Sequence, residues 1–225
     1  MSKPPRVIPW SISSLSSFET CPWRHYQTKI AKNVVEGQSE QMRHGNDVHK
    51  ALEQAVNGRT LPDKHKVYQP IMMKVMATEG AKLAERNVAV NASFQSTDYW
   101  APDAWARGKL DLTILREKSA VTMDWKTGKP KADSDQLMLA AGLTFAVHPA
   151  VEKVRTGYVW LAYDKIDTDV YTRADIPFIW QEFVPRVKRM EDALANDKWP
   201  KKPSGLCNNW CPVPKSLCQY SGKEG

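Results

Sequence analysis

The sequence predicts a mixed α/β domain, in which a central sheet of parallel and antiparallel strands is flanked by helices. Helical periodicity comes first along the chain, followed by alternating strands and then by helix, strands and helix. The 225 residues are enough for one domain with a full core. With 42% hydrophobic and 25% charged residues, the composition is that of a globular protein. This order of elements is typical of a sheet covered by helices.

The predicted helices carry capping or breaking residues at their ends. Ser13 or Ser14 would cap the first helix, which Cys21-Pro22 interrupts, and Asn57-Gly58 would end the second. Pro185 should bend or break the last helix. The predicted helices cover residues 11–30, 38–56, 70–86, 133–147 and 176–197.

The predicted strands show alternation of apolar and polar residues. The turn 116–119 would join the second strand to the third, and the tail 198–225 is rich in Pro, Gly and Cys, which predicts a loop. The predicted strands cover residues 88–94, 106–115, 120–125, 155–163 and 169–172.

Two of these strands carry the residues with the clearest chemical meaning. Side chains alternate between the faces of a strand, so Asp124 and Lys126 share one face, and Trp125 lies on the other. If the preceding strand pairs with this one as a hairpin, Asp111 converges with Asp124 beside Lys126. Two carboxylates form a hard-oxygen site for Mg²⁺ or Mn²⁺, which would activate water and offset charge on a scissile phosphate. Taken singly, each residue is more often part of a solvated strand face; the combination favours a metal-dependent hydrolase.

The motifs Gly108-Lys109-Leu110-Asp111 and Asp124-Trp125-Lys126-Thr127-Gly128 resemble the nuclease core of the RecB-like branch of the PD-(D/E)XK superfamily. This resemblance implies a metal-binding His on an upstream helix, which His49 matches, and a Gln on the helix after the lysine strand, which Gln136 matches. It implies that His49, Asp111 and Asp124 are metal ligands. It also implies that Asp111, Asp124, Lys126 and Gln136 are catalytic, with Gln136 contacting the substrate or Lys126.

The chain departs from this family pattern at two positions. A Glu on the preceding strand is replaced at the corresponding position by Asn91, and Ala140 stands where a Tyr usually follows the Gln by one helical turn. Pro102-Asp103 spells the first letters of the superfamily name but lies in a loop pattern, so Asp111 is the favoured carboxylate.

The four cysteines are Cys21, Cys207, Cys211 and Cys218. With no secretory signal visible, we expect a reducing cytoplasm (the host cytoplasm if the protein is phage-encoded), where free thiols or metal ligands are commoner than disulfides. The segment from Ser13 to Pro22 resembles that of iron–sulfur nucleases related to the AddB nuclease domain and to CRISPR-associated exonucleases. The resemblance implies that all four cysteines bind a 4Fe–4S cluster and favours iron–sulfur over zinc, although the last three cysteines are spaced more widely than in that subgroup.

The resemblance also implies a domain organisation, a substrate and partners. Residues 1–225 would form one nuclease domain, with 1–37 and 198–225 binding the cluster and 38–197 forming the nuclease core. The protein would hydrolyse DNA as an exonuclease at duplex ends or in single strands, during recombination, repair or CRISPR or phage DNA processing. A net charge of +7 favours a polyanionic partner, and no segment is apolar enough to predict a membrane span. A homo-oligomer and a separate helicase or recombination partner both stay open.

Two alternatives assign other functions to the chain. One is a nucleic-acid-binding module that retains the fold and cluster without catalysis, and the other is a zinc-stapled interaction protein. Tryptophans that could stack on unpaired bases, although tryptophans are more often core residues, are Trp100, Trp105, Trp125, Trp199 and Trp210.

Overall fold

The computed structural model describes residues 8–131 and 134–223. The α-helices within these residues are α1 (Ile12–Thr20), α2 (Pro22–His25), α3 (Glu40–Val56), α4 (Gln69–Ala77), α5 (Asp135–Val147), α6 (Ile176–Ala195) and α7 (Leu206–Asn209). The strands are β1 (Ala81–Asn91), β2 (Ser96–Thr97), β3 (Ala104–Leu115), β4 (Ser119–Lys126), β5 (Lys153–Trp160) and β6 (Lys165–Thr172).

The chain folds as two compact units. The larger unit consists mainly of Ser39–Trp180, and the smaller unit consists of Trp10–Gln38 and the residues from Gln181 onward. The functional division expected from the sequence, with a core at 38–197 and cluster-binding ends, stays a prediction.

The larger unit is built on a six-stranded sheet in the order β2-β1-β3-β4-β5-β6. Neighbouring strands are antiparallel except β4 and β5, which are parallel. Parallel strands cannot be joined by a tight turn, and α5 lies in the crossover between them. The mixed α/β fold with a helix-flanked sheet is confirmed.

The two faces of β4 contact different helices. Trp125 is 2% exposed and packs in a core with Val48 and Leu52 of α3 and Met72 of α4. On the opposite face, the hydroxyl of Thr122 lies 3.1 Å from that of Thr144 in α5. The alternation predicted for this strand therefore places Trp125 in the core and leaves Asp124 and Lys126 facing away from it.

The predicted helix 70–86 is wrong beyond Ala77. Gly80 has a φ of +119°, which ends any helical run, and from Ala81 onward the backbone pairs with β3. Leu83 fits a helical period, but strand pairing over 81–91 satisfies the backbone and outweighs that local pattern. Phe94, predicted as part of this strand, lies outside it and stacks on Trp180 with ring centroids 4.8 Å apart.

The other expectations about caps and breaks in the helices have mixed outcomes. Ser11, and not Ser13 or Ser14, caps α1, because Ser11 and Ser14 form a reciprocal capping box. The predicted interruption at Cys21-Pro22 is confirmed, but α6 runs through Pro185 without a break. Asp133, the predicted first residue of the fourth helix, lies outside the described residues.

The smaller unit is held by an ion pair between its two chain segments. Both guanidinium nitrogens Nε and Nη2 of Arg186 donate to Glu19, at 2.8 and 2.7 Å. These bonds from Arg186 hold the pKa of Glu19 below its usual range. The bidentate geometry links α1 to α6 more specifically than a single charge contact would.

No helix in the described part of the chain has both the length and the apolar character needed to span a membrane.

Candidate functional site

The site forms where β3 and β4 separate. Their last backbone pair joins Leu112 to Met123, whereas β4 stays paired with β5 as far as Lys126 and Trp160. Beyond the last β3–β4 pair, the backbone N–H of Trp125 donates to the carboxylate oxygen Oδ2 of Asp111 at 2.9 Å. The Asp111 side chain thus occupies the gap between the strands, as the convergence expected from the sequence requires.

His49 reaches this gap from α3. Its Nε2 lies 2.9 Å from the carbonyl oxygen of Trp125, so the proton on Nε2 donates to that carbonyl. The other ring nitrogen, Nδ1, lies 3.3 Å from Asp111 Oδ2 and 3.6 Å from Glu85 Oε1. A histidine held in this way presents Nδ1 to the carboxylates, which is the arrangement of a metal-binding imidazole.

Glu85 is the functional residue that the sequence did not reveal. It lies on β1 between two residues that pair with β3, Ala84 with Leu112 and Arg86 with Leu110, and therefore lies opposite Asp111. Its φ of +51° is uncommon for a residue other than glycine. Its side chain is 7% exposed and forms an ion pair with Lys109. Assigning 70–86 to a helix concealed the carboxylate that faces Asp111.

Asn91, which the sequence placed at the position of the expected strand carboxylate, has a different role. Its side-chain oxygen accepts hydrogen bonds from the backbone N–H groups of Ser93 and Gln95, at 3.0 and 3.1 Å. This pattern is an Asx-type turn at the end of β1. A carboxylate does lie on β1 beside Asp111, but six residues before the position that the resemblance indicated, at Glu85 and not at Asn91.

Asp124, Lys126 and Gln136 form a second group at the end of β4. Lys126 Nζ lies 2.7 Å from Asp124 Oδ2 and donates to Gln136 Oε1 at 2.8 Å. The amide nitrogen of Gln136 donates to the other oxygen of Asp124. Gln136, at the start of α5, thus contacts both the carboxylate and the lysine.

The electrostatics of the site indicate a place for a cation. Burial alone would lower the pKa of His49, but the neighbouring carboxylates of Asp111 and Glu85 raise it to about 10. Burial, reinforced by the charge of Asp111, raises the pKa of Asp124 to about 6. Burial would also raise the pKa of Glu85, but His49 and Lys109 hold it below the usual value. Carboxylates buried this closely repel one another unless positive charge lies between them.

The donor atoms fit a divalent metal ion. Nδ1 of His49 and one carboxylate oxygen each of Glu85 and Asp111 lie within 4.8 Å of one another, a grouping found nowhere else among the described residues. Glu85 Oε1 is buried and accepts no hydrogen bond from the described residues, whereas the buried Asp124 Oδ2 lies beside the Lys126 ammonium. Oxygen and imidazole donors with unused acceptor capacity suit Mg²⁺ or Mn²⁺.

Asp103, in the alternative Pro-Asp pair, lies apart from this group. Its Oδ1 accepts from the hydroxyl of Thr97 at 2.9 Å, within the loop that follows β2. It has the structural role that its loop pattern indicated.

The four cysteines all belong to the smaller unit and are free thiols. They line a single cavity, together with residues such as Trp23 and Arg24. Burial raises the pKa of the Cys211 thiol, and the nearby Cys207 and Cys21 add to this effect. None of the four belongs to the one group of possible metal-ligand atoms found among the described residues.

Three of the five candidate tryptophans belong to the core. Trp105, Trp125 and Trp199 are at most 8% exposed, whereas Trp100 and Trp210 are 75% and 74% exposed. Only the last two therefore present an indole to an external ligand.

Comparison with known proteins found similarity to one nuclease superfamily and to solved structures. The model of the PD-(D/E)XK nuclease superfamily matches residues 9–106, a segment that includes His49 and Glu85 and ends before Asp111. The crystal structure of SSO0001 has 15% identity and a TM-score of 0.50, and the alignment covers 97% of this chain and 88% of that one. A "Putative exonuclease" from Eubacterium rectale has 12% identity and a TM-score of 0.48, with coverage of 91% and 94%.

None of the curated proteins matches the chain in sequence. At its level of identity, the likeness to SSO0001 shows a common fold alone. Over residues 9–106, less than half of its length, the chain is thus similar to the PD-(D/E)XK nuclease superfamily, and its mixed sheet is consistent with that fold.

Proposed function

We propose that this protein is a metal-dependent DNA nuclease that acts as an exonuclease on DNA ends or single strands, in recombination, repair or the processing of phage or CRISPR DNA. The convergence of His49, Glu85 and Asp111 donor atoms within 4.8 Å carries the proposal. The net charge of +7 suits a polyanionic substrate. The exonuclease mode rests on the resemblance to the RecB-like and iron–sulfur branches.

The metal would be held by His49, Glu85 and Asp111, with Asp124 as a further ligand. The buried Oε1 of Glu85, which accepts no hydrogen bond from the described residues, supports this ligand set. When bound, Mg²⁺ or Mn²⁺ supplies Lewis acidity to the scissile phosphate and lowers the pKa of a water molecule. His49 contributes a fixed ring orientation, because its Nε2–H donates to the carbonyl of Trp125.

Lys126 provides the positive charge that faces the reacting phosphate. Its Nζ is held by Asp124 and Gln136 and lies 4.9 Å from the centre of the Tyr158 ring. A cation fixed before the reaction stabilises developing negative charge without reorganising. Gln136 acts as a positioning residue, since it bonds to both Lys126 and Asp124.

The test is degradation of end-labelled linear DNA, single-stranded and duplex, with Mn²⁺ or Mg²⁺ and with EDTA. We expect cleavage only with metal, release of short labelled products from ends, and no cleavage of covalently closed circles. Cleavage of circles would contradict the exonuclease mode. An absence of cleavage by anaerobically purified protein that still binds DNA would favour the inactive binding module.

We propose further that the four cysteines bind a 4Fe–4S cluster that ties together the two segments of the smaller unit. Their lining of one cavity supports this. A zinc ion with bonds of ~2.3 Å would require its four sulfurs to lie about 4 Å apart. A four-iron cluster binds each thiolate through a different iron and so accommodates wider spacing.

This proposal predicts a brown protein after anaerobic purification. Iron and acid-labile sulfide should each be present at about four per chain, and Cys218→Ser should lower both and reduce the melting temperature. Cys218 is the most buried of the four thiols, so serine replaces a ligand without adding volume. A colourless protein with one bound zinc would contradict the cluster.

A further inference from the structure

An aromatic pair, half-buried Tyr99 and exposed Trp100, precedes the strand that carries Asp111. Trp100 is 75% exposed, and its ring packs edge-on against Tyr99 with centroids 5.0 Å apart. The guanidinium carbon of Arg107 lies 5.2 Å from the centroids of both rings. A large exposed indole supported by a cation differs from the buried tryptophans elsewhere in the larger unit.

The backbone holds this aromatic pair in place. Asp98 accepts from the N–H of Trp100 through its side chain at 2.8 Å and from the N–H of Ala101 through its carbonyl at 3.1 Å. Nε of Arg107 is buried and bonds to none of the described residues. The loop therefore fixes Trp100 before any ligand arrives, and Arg107 retains unused charge and donor capacity next to it.

The position of this pair connects it with the metal site. The first residue of β3 that pairs with β4 is Leu112, opposite Met123. The preceding residues of β3, from Ala104 to Asp111, therefore do not pair with β4. Arg107 lies four residues before Asp111 on this strand, or ~13 Å at the rise of an extended chain. Arg107 and Lys109 are two residues apart, so their side chains leave the same face. This face of β3 thus carries basic side chains between Asp111 and Trp100, of which Lys109 is paired with Glu85.

We propose that Trp100, supported by Tyr99 and Arg107, stacks on an unpaired base of the substrate strand, on the side of the metal site to which this part of β3 leads. Aromatic rings next to basic side chains are a common way to hold single-stranded nucleic acid without reading its sequence. Arg107 supplies the charge for a neighbouring phosphate. This assignment rests on the proposed nuclease function and adds to it a preference for unpaired ends.

The test measures equilibrium binding of a short fluorescein-labelled single-stranded oligonucleotide in EDTA, where metal-dependent cleavage stops. Trp100→Ala should weaken binding roughly 5- to 150-fold, the range found when one base–aromatic stack is removed. Trp100→Phe should restore most of the affinity. A second series of oligonucleotides carries one abasic site each, at a different position in every member. Native protein should lose affinity only where the missing base is the one that stacks on Trp100. Trp100→Ala should bind all members of the series equally well.

Phe178→Ala is the matched control, because Phe178 is a 52% exposed aromatic in the larger unit without an assigned role; its DNA affinity should equal that of the native protein. Melting temperatures verify that each variant folds. If native protein binds and cleaves DNA while Trp100→Ala binds equally well, or remains sensitive to the same abasic site, the stacking assignment is overturned and the nuclease stands. If native protein neither binds nor cleaves nucleic acid, the proposed function itself fails.

Discussion

Asp124→Asn is expected to abolish metal-dependent DNA cleavage while leaving the metal-free protein at least as stable as the native protein. Burial and the charge of Asp111 both disfavour the ionised form of Asp124, so a neutral amide of the same shape relieves repulsion. The same change removes the carboxylate that would help to hold the metal and that fixes Lys126 at 2.7 Å. We expect the rate to fall about 10³-fold or more, the upper range for losing one charge-stabilising group.

The measurement pairs initial cleavage rates with thermal unfolding in EDTA. Asp103→Asn is the matched control, because it makes the same substitution in the alternative Pro-Asp pair, where Asp103 bonds to Thr97. The control should cleave DNA at close to the native rate. Cleavage by Asp124→Asn at the native rate, or a melting temperature several degrees lower in EDTA, would show that Asp124 serves the fold and not the reaction.

Glu85→Gln is expected to weaken Mn²⁺ binding by at least about 10-fold, which is the size commonly found when a metal-site residue is removed. The buried oxygen Oε1 of Glu85 accepts no hydrogen bond from the described residues, and it lies 3.6 Å from His49 Nδ1. An amide retains the shape and the contact with β3 but supplies less charge to a cation. Isothermal titration of Mn²⁺ into the apo-protein measures the effect directly.

Asn91→Ala tests whether the metal binds beside Glu85 or at the position that the sequence indicated, near Asn91. Asn91 bonds to the backbone of Ser93 and Gln95 and is not among the grouped donor atoms. Its replacement should lower thermal stability by the loss of a turn contact and leave Mn²⁺ affinity unchanged. If Asn91→Ala weakens Mn²⁺ binding and Glu85→Gln does not, the metal lies near the end of β1 and the geometry of the proposed site is wrong.

The sequence by itself determined the parts of the site that follow from strand alternation. Asp124 and Lys126 are two residues apart on β4, and Trp125 between them enters the core with Leu112. Period-two alternation is a local property of an extended chain, so these assignments did not require knowledge of the fold. The Lys126–Gln136 contact was also expected, although only from the resemblance.

The place of Glu85 in the site, and the gap between β3 and β4, were decided only by the tertiary structure. The segment around Glu85 has a helical apolar period, and only pairing with β3 makes it a strand that lies opposite Asp111. Backbone pairing is a contact between residues distant in sequence, so local periodicity cannot reveal it. The separation of β3 from β4 after Met123 depends likewise on the parallel strand β5, which holds β4 through Lys126. That separation lets Asp111 accept from the backbone of Trp125 while His49 donates to the same residue, and this brings the ligands together.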